Sequence, residues 1–111
     1  MQVGSLSIGR QFLAATSGVL NIRRQKAGNY GWWGGGNSPS IISTVDRIDF
    51  SNDLATALVR GPLSYSPGVY RLASTGNSNY GWFGAGELLA AYSSKIDRIN
   101  FSNDSVTASP R

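Results

Sequence analysis

The sequence has no cysteine and no histidine among its 111 residues. Without cysteine, neither a disulfide nor a thiolate metal site can form. Without histidine, the chain lacks the commonest metal ligand and the usual general base of enzymes. Carboxylates are also scarce, and the six in the chain are Asp46, Asp49, Asp53, Glu87, Asp97 and Asp104. This composition predicts a protein without a metal, without a cofactor and without enzymatic activity.

Long apolar runs are missing as well. No stretch approaches the roughly 18 apolar residues of a membrane-spanning helix, and the first twelve residues have no apolar run of signal-peptide length. The net charge of +4 is a mild bias toward anionic partners and is not by itself a nucleic-acid signature. We therefore expect no membrane span and no nucleic-acid partner.

Glycine, by contrast, is abundant, and the sequence repeats itself. Fourteen glycines with many Ser, Thr and Asn residues are typical of an all-β chain with tight turns. Segment Asn29–Gly36 returns as Asn79–Gly86, and segment Ser43–Asp53 returns as Ser94–Asp104. A repeat of this length decides the fold, so the chain divides into two units, 1–60 and 61–111. The first unit carries an extended loop at 17–28.

Each unit is predicted to contain four short strands, a to d, because aromatic and β-branched residues cluster between turn residues. The predicted ranges are 11–16, 30–35, 44–50 and 55–60 in the first unit, and 69–75, 80–85, 95–101 and 106–109 in the second. In strand b, Trp32 and Trp33 point to opposite sides, so both faces of the sheet are apolar. A sheet of this kind lies between neighbouring sheets, as a propeller blade does.

These motifs resemble a known repeat. The strand Tyr80–Gly86, followed by a loop and Ile96–Asp104, resembles a kelch-like β-propeller blade. It is similar to the blade repeats of virion structural proteins of marine bacteriophages. The resemblance implies an all-β fold of two four-stranded antiparallel blades and a virion-associated protein.

Two blades cannot close a propeller, which needs at least four. We therefore predict a homo-oligomer that completes the ring. The linker before strand a and the end of strand d would meet head to tail, and three copies would supply six blades. The alternative is that the chain is a fragment of a longer array of blades.

Six aromatic residues on the two b strands are predicted to form the core between blades, because large aromatic side chains dominate such contacts. They are Tyr30, Trp32, Trp33, Tyr80, Trp82 and Phe83. The alternative is that they form sugar-stacking platforms, as in small propeller lectins.

Binding is predicted on the loops, since loops on a rigid scaffold usually carry recognition. The loop 17–28 holds Arg23, Arg24 and Lys26. One interpretation is an extended, solvated hairpin, and the other is a contact loop for an acidic protein surface or an anionic glycan. The loops between strands b and c would supply the contacts of a lectin. The candidates there are Asn37, Ser38, Glu87 and Tyr92.

The remaining polar motifs are interpreted as structural. The pairs Asp46–Arg47 and Asp97–Arg98 are expected to form inter-blade salt bridges or to anchor turns. A glycosidase pair of Asp46 and Asp49 is disfavoured, because the second unit has Asn100 in place of Asp49. Ser-Asn-Asp at 51–53 and 102–104 is expected to serve turn chemistry and not calcium binding. The sequence thus favours a non-enzymatic structural or adhesive module, with a multivalent carbohydrate-binding lectin as the alternative.

Overall fold

The computed structural model describes residues 4–9, 13–17 and 29–111. These residues form eight strands and no helix. The strands are β1 (Ala14–Ser17), β2 (Tyr30–Gly34), β3 (Val45–Asp49), β4 (Leu58–Arg60), β5 (Ala73–Gly76), β6 (Tyr80–Gly84), β7 (Ile96–Asn100) and β8 (Ser109–Pro110). They pair in two antiparallel sheets, in the orders β1-β2-β3-β4 and β5-β6-β7-β8. The predicted all-β class and the two four-stranded sheets are confirmed.

The outer strands are shorter than the sequence pattern indicated. Strand β1 begins at Ala14 instead of residue 11, and β4 covers only Leu58–Arg60 of the predicted 55–60. In the second unit β5 begins at Ala73 instead of residue 69, and β8 is reduced to Ser109–Pro110. In the described segments 55–57, 69–72 and 106–108, backbone groups bond to loops and linkers, as when the Val69 amide donates to the Ile42 carbonyl at 3.1 Å.

The second and third strands of the two sheets share one register, so each residue of β2 and β3 has an equivalent in β6 and β7. Trp32 pairs with Arg47 across β2 and β3, and Trp82 pairs with Arg98 across β6 and β7. At the outer edge, Val45 pairs with Arg60, and the amide of Arg111 donates to Ile96 at 2.8 Å. Arg60 and Arg111 are therefore equivalent positions.

The turn after β3 shows why aspartate and asparagine interchange between the units. One Asp49 carboxylate oxygen accepts hydrogen bonds from the Ser51 amide at 2.8 Å and the Ser51 hydroxyl at 2.6 Å. The Asn100 side-chain oxygen accepts the same two bonds from Ser102, at 3.0 and 2.8 Å. The Ser51 hydroxyl is the main cause that lowers the pKa of Asp49. Only an acceptor oxygen is needed here, and an amide supplies one as well as a carboxylate.

In each unit a buried carboxylate binds the linker segment that precedes the first strand of that unit. Asp46 accepts hydrogen bonds from the amide and hydroxyl of Ser7 at 2.7–2.8 Å, and Asp97 accepts the equivalent bonds from Ser64 at 2.5 and 2.6 Å. Both carboxylates are fully buried. The linker also runs along the turn between the third and fourth strands, where the Gly61 amide donates to the Asp104 carbonyl at 2.8 Å.

Gly61 is required by this close approach of two backbone segments. A Cβ atom at this position would lie 1.9 Å from the carbonyl oxygen of Val106. Gly4 in the first unit would meet the carbonyl of Ala55 in the same way. Both units thus need glycine at the start of the linker.

The hydrophobic core lies between the two sheets. The first unit contributes Ala14, Trp32 and Val45, and the second contributes Leu63, Tyr65, Val69, Phe83, Ile99 and Ala108. Strand β1 lies beside β5, where the Thr16 hydroxyl donates to the Thr75 carbonyl at 3.2 Å and the Ser74 hydroxyl donates to the Ala15 carbonyl. The two units are thus packed face to face, with their first strands adjacent.

Candidate functional site

The contact between the two units is built around the carboxylate of Asp104. One oxygen accepts hydrogen bonds from the Trp32 indole at 2.7 Å and from Arg47 Nη1 at 3.1 Å. The other accepts two bonds from the Arg60 guanidinium, at 2.8 and 2.6 Å. Asp104 belongs to the second unit and the three donors belong to the first, so the carboxylate joins the units. We call this set the internal joint.

The charge of Asp104 is stabilised in place. Its side chain is buried, and burial by itself raises the pKa of a carboxyl group. The hydrogen bonds from Arg60 and Trp32, with the positive charges of Arg47 and Arg60, outweigh burial and hold the pKa of Asp104 below its ordinary value. The carboxylate is therefore ionised at neutral pH and forms charge-assisted bonds to the neighbouring sheet.

Aromatic packing surrounds these polar bonds. Trp32 stacks on Phe101, with ring centroids 4.2 Å apart and planes inclined by 17°. The guanidinium of Arg47 lies 4.3 Å from the centre of the Tyr30 ring, a cation–π contact. One tryptophan therefore serves both as an apolar surface and as a hydrogen-bond donor to the same neighbouring unit.

Each unit has two different faces that meet at the joint. The tryptophan face carries Trp32, Arg47 and Arg60 in the first unit, and the equivalent residues in the second are Trp82, Arg98 and Arg111. The turn face carries Phe101 and Asp104 in the second unit, and the equivalent residues in the first are Phe50 and Asp53. In the internal joint, the tryptophan face of the first unit packs against the turn face of the second.

The other two faces are exposed. Asp53 lies on the surface, and Phe50 is 48% exposed. On the tryptophan face of the second unit, Ile96 is 41% exposed, whereas its equivalent Val45 is fully buried. Within the described ranges, Arg98 and Arg111 form no salt bridge, whereas Arg47 and Arg60 both contact Asp104. Among the described residues, one face of each kind is therefore left uncovered.

A concavity of about 470 Å³ lies on the uncovered tryptophan face. Its walls are mostly apolar and include Trp82, Gly84 and Ile96. On the first unit the equivalent space beside Gly34 is occupied, since a Cβ there would lie 3.1 Å from Phe83 and 3.4 Å from Leu63. The concavity is thus the place that a neighbouring unit fills in the internal joint.

The predicted aromatic core residues take unequal places. Trp32 is 2% exposed and Phe83 is fully buried. Tyr30, Trp33, Tyr80 and Trp82 are only half-buried. The two repeats are similar in sequence but differ in environment, because among the described residues the other unit covers the tryptophan face of the first unit and leaves that of the second uncovered.

The predicted rim residues lie in the two connections between second and third strands. Asn37 pairs with Ile41 through its backbone, and the Ser38 amide donates to the Ser40 carbonyl at 2.8 Å. Glu87 pairs through its backbone with Tyr92, which is 84% exposed. The structure thus brings Glu87 and Tyr92 together, and Asn37 and Ser38 lie in the other unit.

Arg71 was not foreseen as a rim residue. It donates a hydrogen bond to Glu87 at 2.9 Å. The hydrogen bond to Glu87 is the main cause that raises the pKa of the neighbouring Tyr70, and burial adds to it. The predicted basic contacts Arg23, Arg24 and Lys26 lie outside the described residues, so their docking to an anionic partner stays a prediction.

The interpretation of the Asp-Arg motif is confirmed for Arg47, which forms a salt bridge to Asp104 of the other unit. Its neighbour Asp46 takes no part in that bridge: successive residues of a strand point to opposite faces, and Asp46 binds the linker. The assignment of Asp104 to turn chemistry was wrong, because its carboxylate binds the neighbouring unit. The signal was available in the repeat, since Asp53, like the tryptophan and arginine positions, is kept between units whereas Asp49 is replaced.

Among the described residues, no three of the possible metal-binding side chains come together, and no helix is long and apolar enough to cross a membrane. The sequence matches no protein-family model and no curated protein.

Proposed function

We propose that the protein is a non-enzymatic structural or adhesive module, in which the repeat units are propeller blades and copies of the chain associate into a ring. The internal joint carries this proposal. It binds a tryptophan face to a turn face, and the chain exposes one further face of each kind. A contact between two different faces, repeated from copy to copy, produces a ring when the rotation closes.

The number of copies follows from the number of blades. Propellers have four to eight blades, and each copy contributes two. Three copies give a six-bladed ring and four give an eight-bladed ring. We favour three copies, and the virion association of the ring rests on the resemblance of Tyr80–Gly86 and Ile96–Asp104 to blade repeats of phage structural proteins.

Native mass spectrometry of the full chain tests this function directly. The expected species at micromolar concentration has three times the mass of one chain and no open-ended series of larger assemblies. A folded protein that stays monomeric at this concentration would contradict the proposal. An open-ended series would contradict the ring and support a filament instead.

Carbohydrate binding is the second candidate function, and the environment of Tyr92 favours it. Tyr92 is 84% exposed beside Glu87, whose carboxylate accepts a hydrogen bond from Arg71. An exposed aromatic ring next to a fixed charged pair offers both a stacking surface and hydrogen-bonding groups. Glycan-array binding that is lost in Tyr92→Ala would support the lectin function. If the wild type binds no glycan on the array, the lectin function is rejected and the structural function is the remaining candidate.

A further inference from the structure

The exposed tryptophan face of the second unit is already arranged like the occupied one. Arg98 lies 4.2 Å from the centre of the Tyr80 ring, against 4.3 Å for Arg47 over Tyr30. The ring centroids of Tyr80 and Trp82 are 5.9 Å apart, against 6.0 Å for Tyr30 and Trp32. The donors that surround a carboxylate in the internal joint are therefore repeated on a face where the described residues provide no carboxylate.

The missing carboxylate has a counterpart on the same chain. Asp53 occupies the position of Asp104 in the turn after the third strand, and the half-exposed Phe50 occupies the position of Phe101. Asp53 lies on the surface, and within the described part of the chain no cation contacts its side chain. One exposed face thus supplies the acceptor that the other exposed face lacks.

The shape of the exposed tryptophan face, like its charge, indicates a second copy of the chain as its partner. In the internal joint, Phe83 and Leu63 fill the space beside Gly34. The equivalents of Phe83 and Leu63 on the turn face of the first unit are Trp33 and Leu6. Those two side chains would enter the concavity of about 470 Å³ beside Gly84. A foreign acidic peptide would supply a carboxylate, but it would not bring this set of apolar side chains in the matching register.

We propose that the tryptophan face formed by Trp82, Arg98 and Arg111 binds the turn face of a second copy of this chain, with Asp53 of that copy as its carboxylate. This inference rests on the proposed function, because it names the contact through which the copies would assemble. The indole of Trp82 and the two guanidinium groups donate to Asp53, as their equivalents donate to Asp104. Phe50 of the second copy stacks on Trp82.

Two complementary variants test the joint. Asp53→Asn removes the carboxylate but keeps the tryptophan face, and the double variant Arg98→Gln, Arg111→Gln removes the guanidinium groups but keeps the turn face. Each variant by itself is expected to associate at least about 100-fold more weakly than the wild type, because an unpaired charge is left buried. Asp49→Asn is the matched control, since it removes one carboxylate from the same turn and reproduces the asparagine of the second unit.

Mixing the two variants is the decisive measurement. Each copy then retains one intact face, and the intact faces are complementary, so an equimolar mixture should form a species of two chains and no ring. Light scattering after size-exclusion chromatography distinguishes this species from monomer and ring. The mixture also proves that both variants are folded.

The outcomes separate the joint from the proposed function. If the wild type and Asp53→Asn form the same ring, another surface mediates assembly and the joint is wrong, while the structural function stands. An Asp49→Asn variant that weakens assembly as much as Asp53→Asn would also overturn the joint, because net charge would then be the cause. A wild type that is monomeric overturns both. A monomer that binds an oligoglutamate peptide through Arg98 and Arg111 would show that a foreign acidic partner occupies the face.

Discussion

Replacing Asp104 by asparagine removes the negative charge from the internal joint and keeps the shape of the side chain. The carboxylate accepts four hydrogen bonds, one from Trp32, one from Arg47 and two from Arg60. An asparagine has one acceptor oxygen, and its amide group would face donors instead of acceptors. At least two donors of the first unit would lose their partner.

The magnitude follows from the burial of these groups. Removing one partner of a buried ion pair costs about 3–5 kcal/mol, because the other charge stays buried without compensation. The side chains of Arg47 and Arg60 keep 19% and 24% of their surface exposed, so water can solvate them in part. We therefore expect Asp104→Asn to lower the free energy of unfolding by about 2–4 kcal/mol, a large share of the 5–15 kcal/mol typical of a domain.

Urea unfolding followed by tryptophan fluorescence measures this change. The experiment is performed in the Asp53→Asn background, so that self-association does not contribute to the unfolding midpoint. With a slope of about 1.5 kcal/mol/M, a loss of about 3 kcal/mol shifts the midpoint by roughly 2 M. Asp53→Asn itself, at an exposed position, should change the unfolding free energy of the monomer by less than about 0.5 kcal/mol.

A double-mutant cycle tests whether the hydrogen bond from the Trp32 indole to Asp104 contributes to this loss of stability. Trp32→Phe keeps an aromatic ring on Phe101 but removes the indole donor to Asp104. Its cost should be smaller in the Asp104→Asn background than in the presence of the carboxylate. Equal costs in both backgrounds, or a midpoint unchanged by Asp104→Asn, would refute the view that this carboxylate holds the two units together.

Three further predictions concern the same contact. Trp32→Ala should destabilise the monomer by about 3–5 kcal/mol, because Trp32 is buried. Trp82 is half-buried, so Trp82→Ala should destabilise the monomer far less and mainly weaken assembly. Equal melting temperatures for the two variants would contradict this prediction. The pKa of Asp104 is lowered in the folded state. The stability that this carboxylate contributes is therefore present above the ordinary aspartate pKa of about 3.9 and is lost as the pH falls through the folded-state pKa. The unfolding free energies of Asp104→Asn and its parent should differ at pH 7 and converge in acid. Gly34→Ala, whose Cβ would meet the buried Phe83 at 3.1 Å, should cost about 1–3 kcal/mol in thermal unfolding. Gly84→Ala should cost less, because the nearest atoms to its Cβ belong to Ile96, which is 41% exposed and can shift; the reverse order would contradict the packing.

Local pattern was sufficient to predict the strands but not their ends. The alternation in Tyr30–Gly34 and Val45–Asp49 follows from side chains that point to opposite faces along a strand, so the inner strands were placed within one residue. The outer strands were predicted too long, because residues such as Val69 pair with a neighbouring loop. Pairing with a loop depends on the path of the linker, which no local pattern encodes.

Loop residues show a second kind of limit. Glu87 and Tyr92 were grouped by their place in one connection, and their backbone pairing brings them together. Arg71 joins them from the preceding linker, sixteen positions earlier in the chain. A side chain that is distant in sequence becomes a partner only after the chain has turned back, so the sequence pattern did not reveal it.

By itself, the amino-acid sequence determined that the protein is built of β strands, that its two units are equivalent, and that a tryptophan, two arginines and an aspartate recur at matched positions. Only the tertiary structure decided that these four residues meet, because Asp104 bonds to the Trp32, Arg47 and Arg60 of the other unit and not to the equivalents in its own. The physical reason is the geometry of a strand and its turn. A carboxylate on the turn face of one sheet lies too far from the tryptophan face of the same sheet to accept hydrogen bonds from its donors. It reaches equivalent donors only when a second sheet is stacked beside the first.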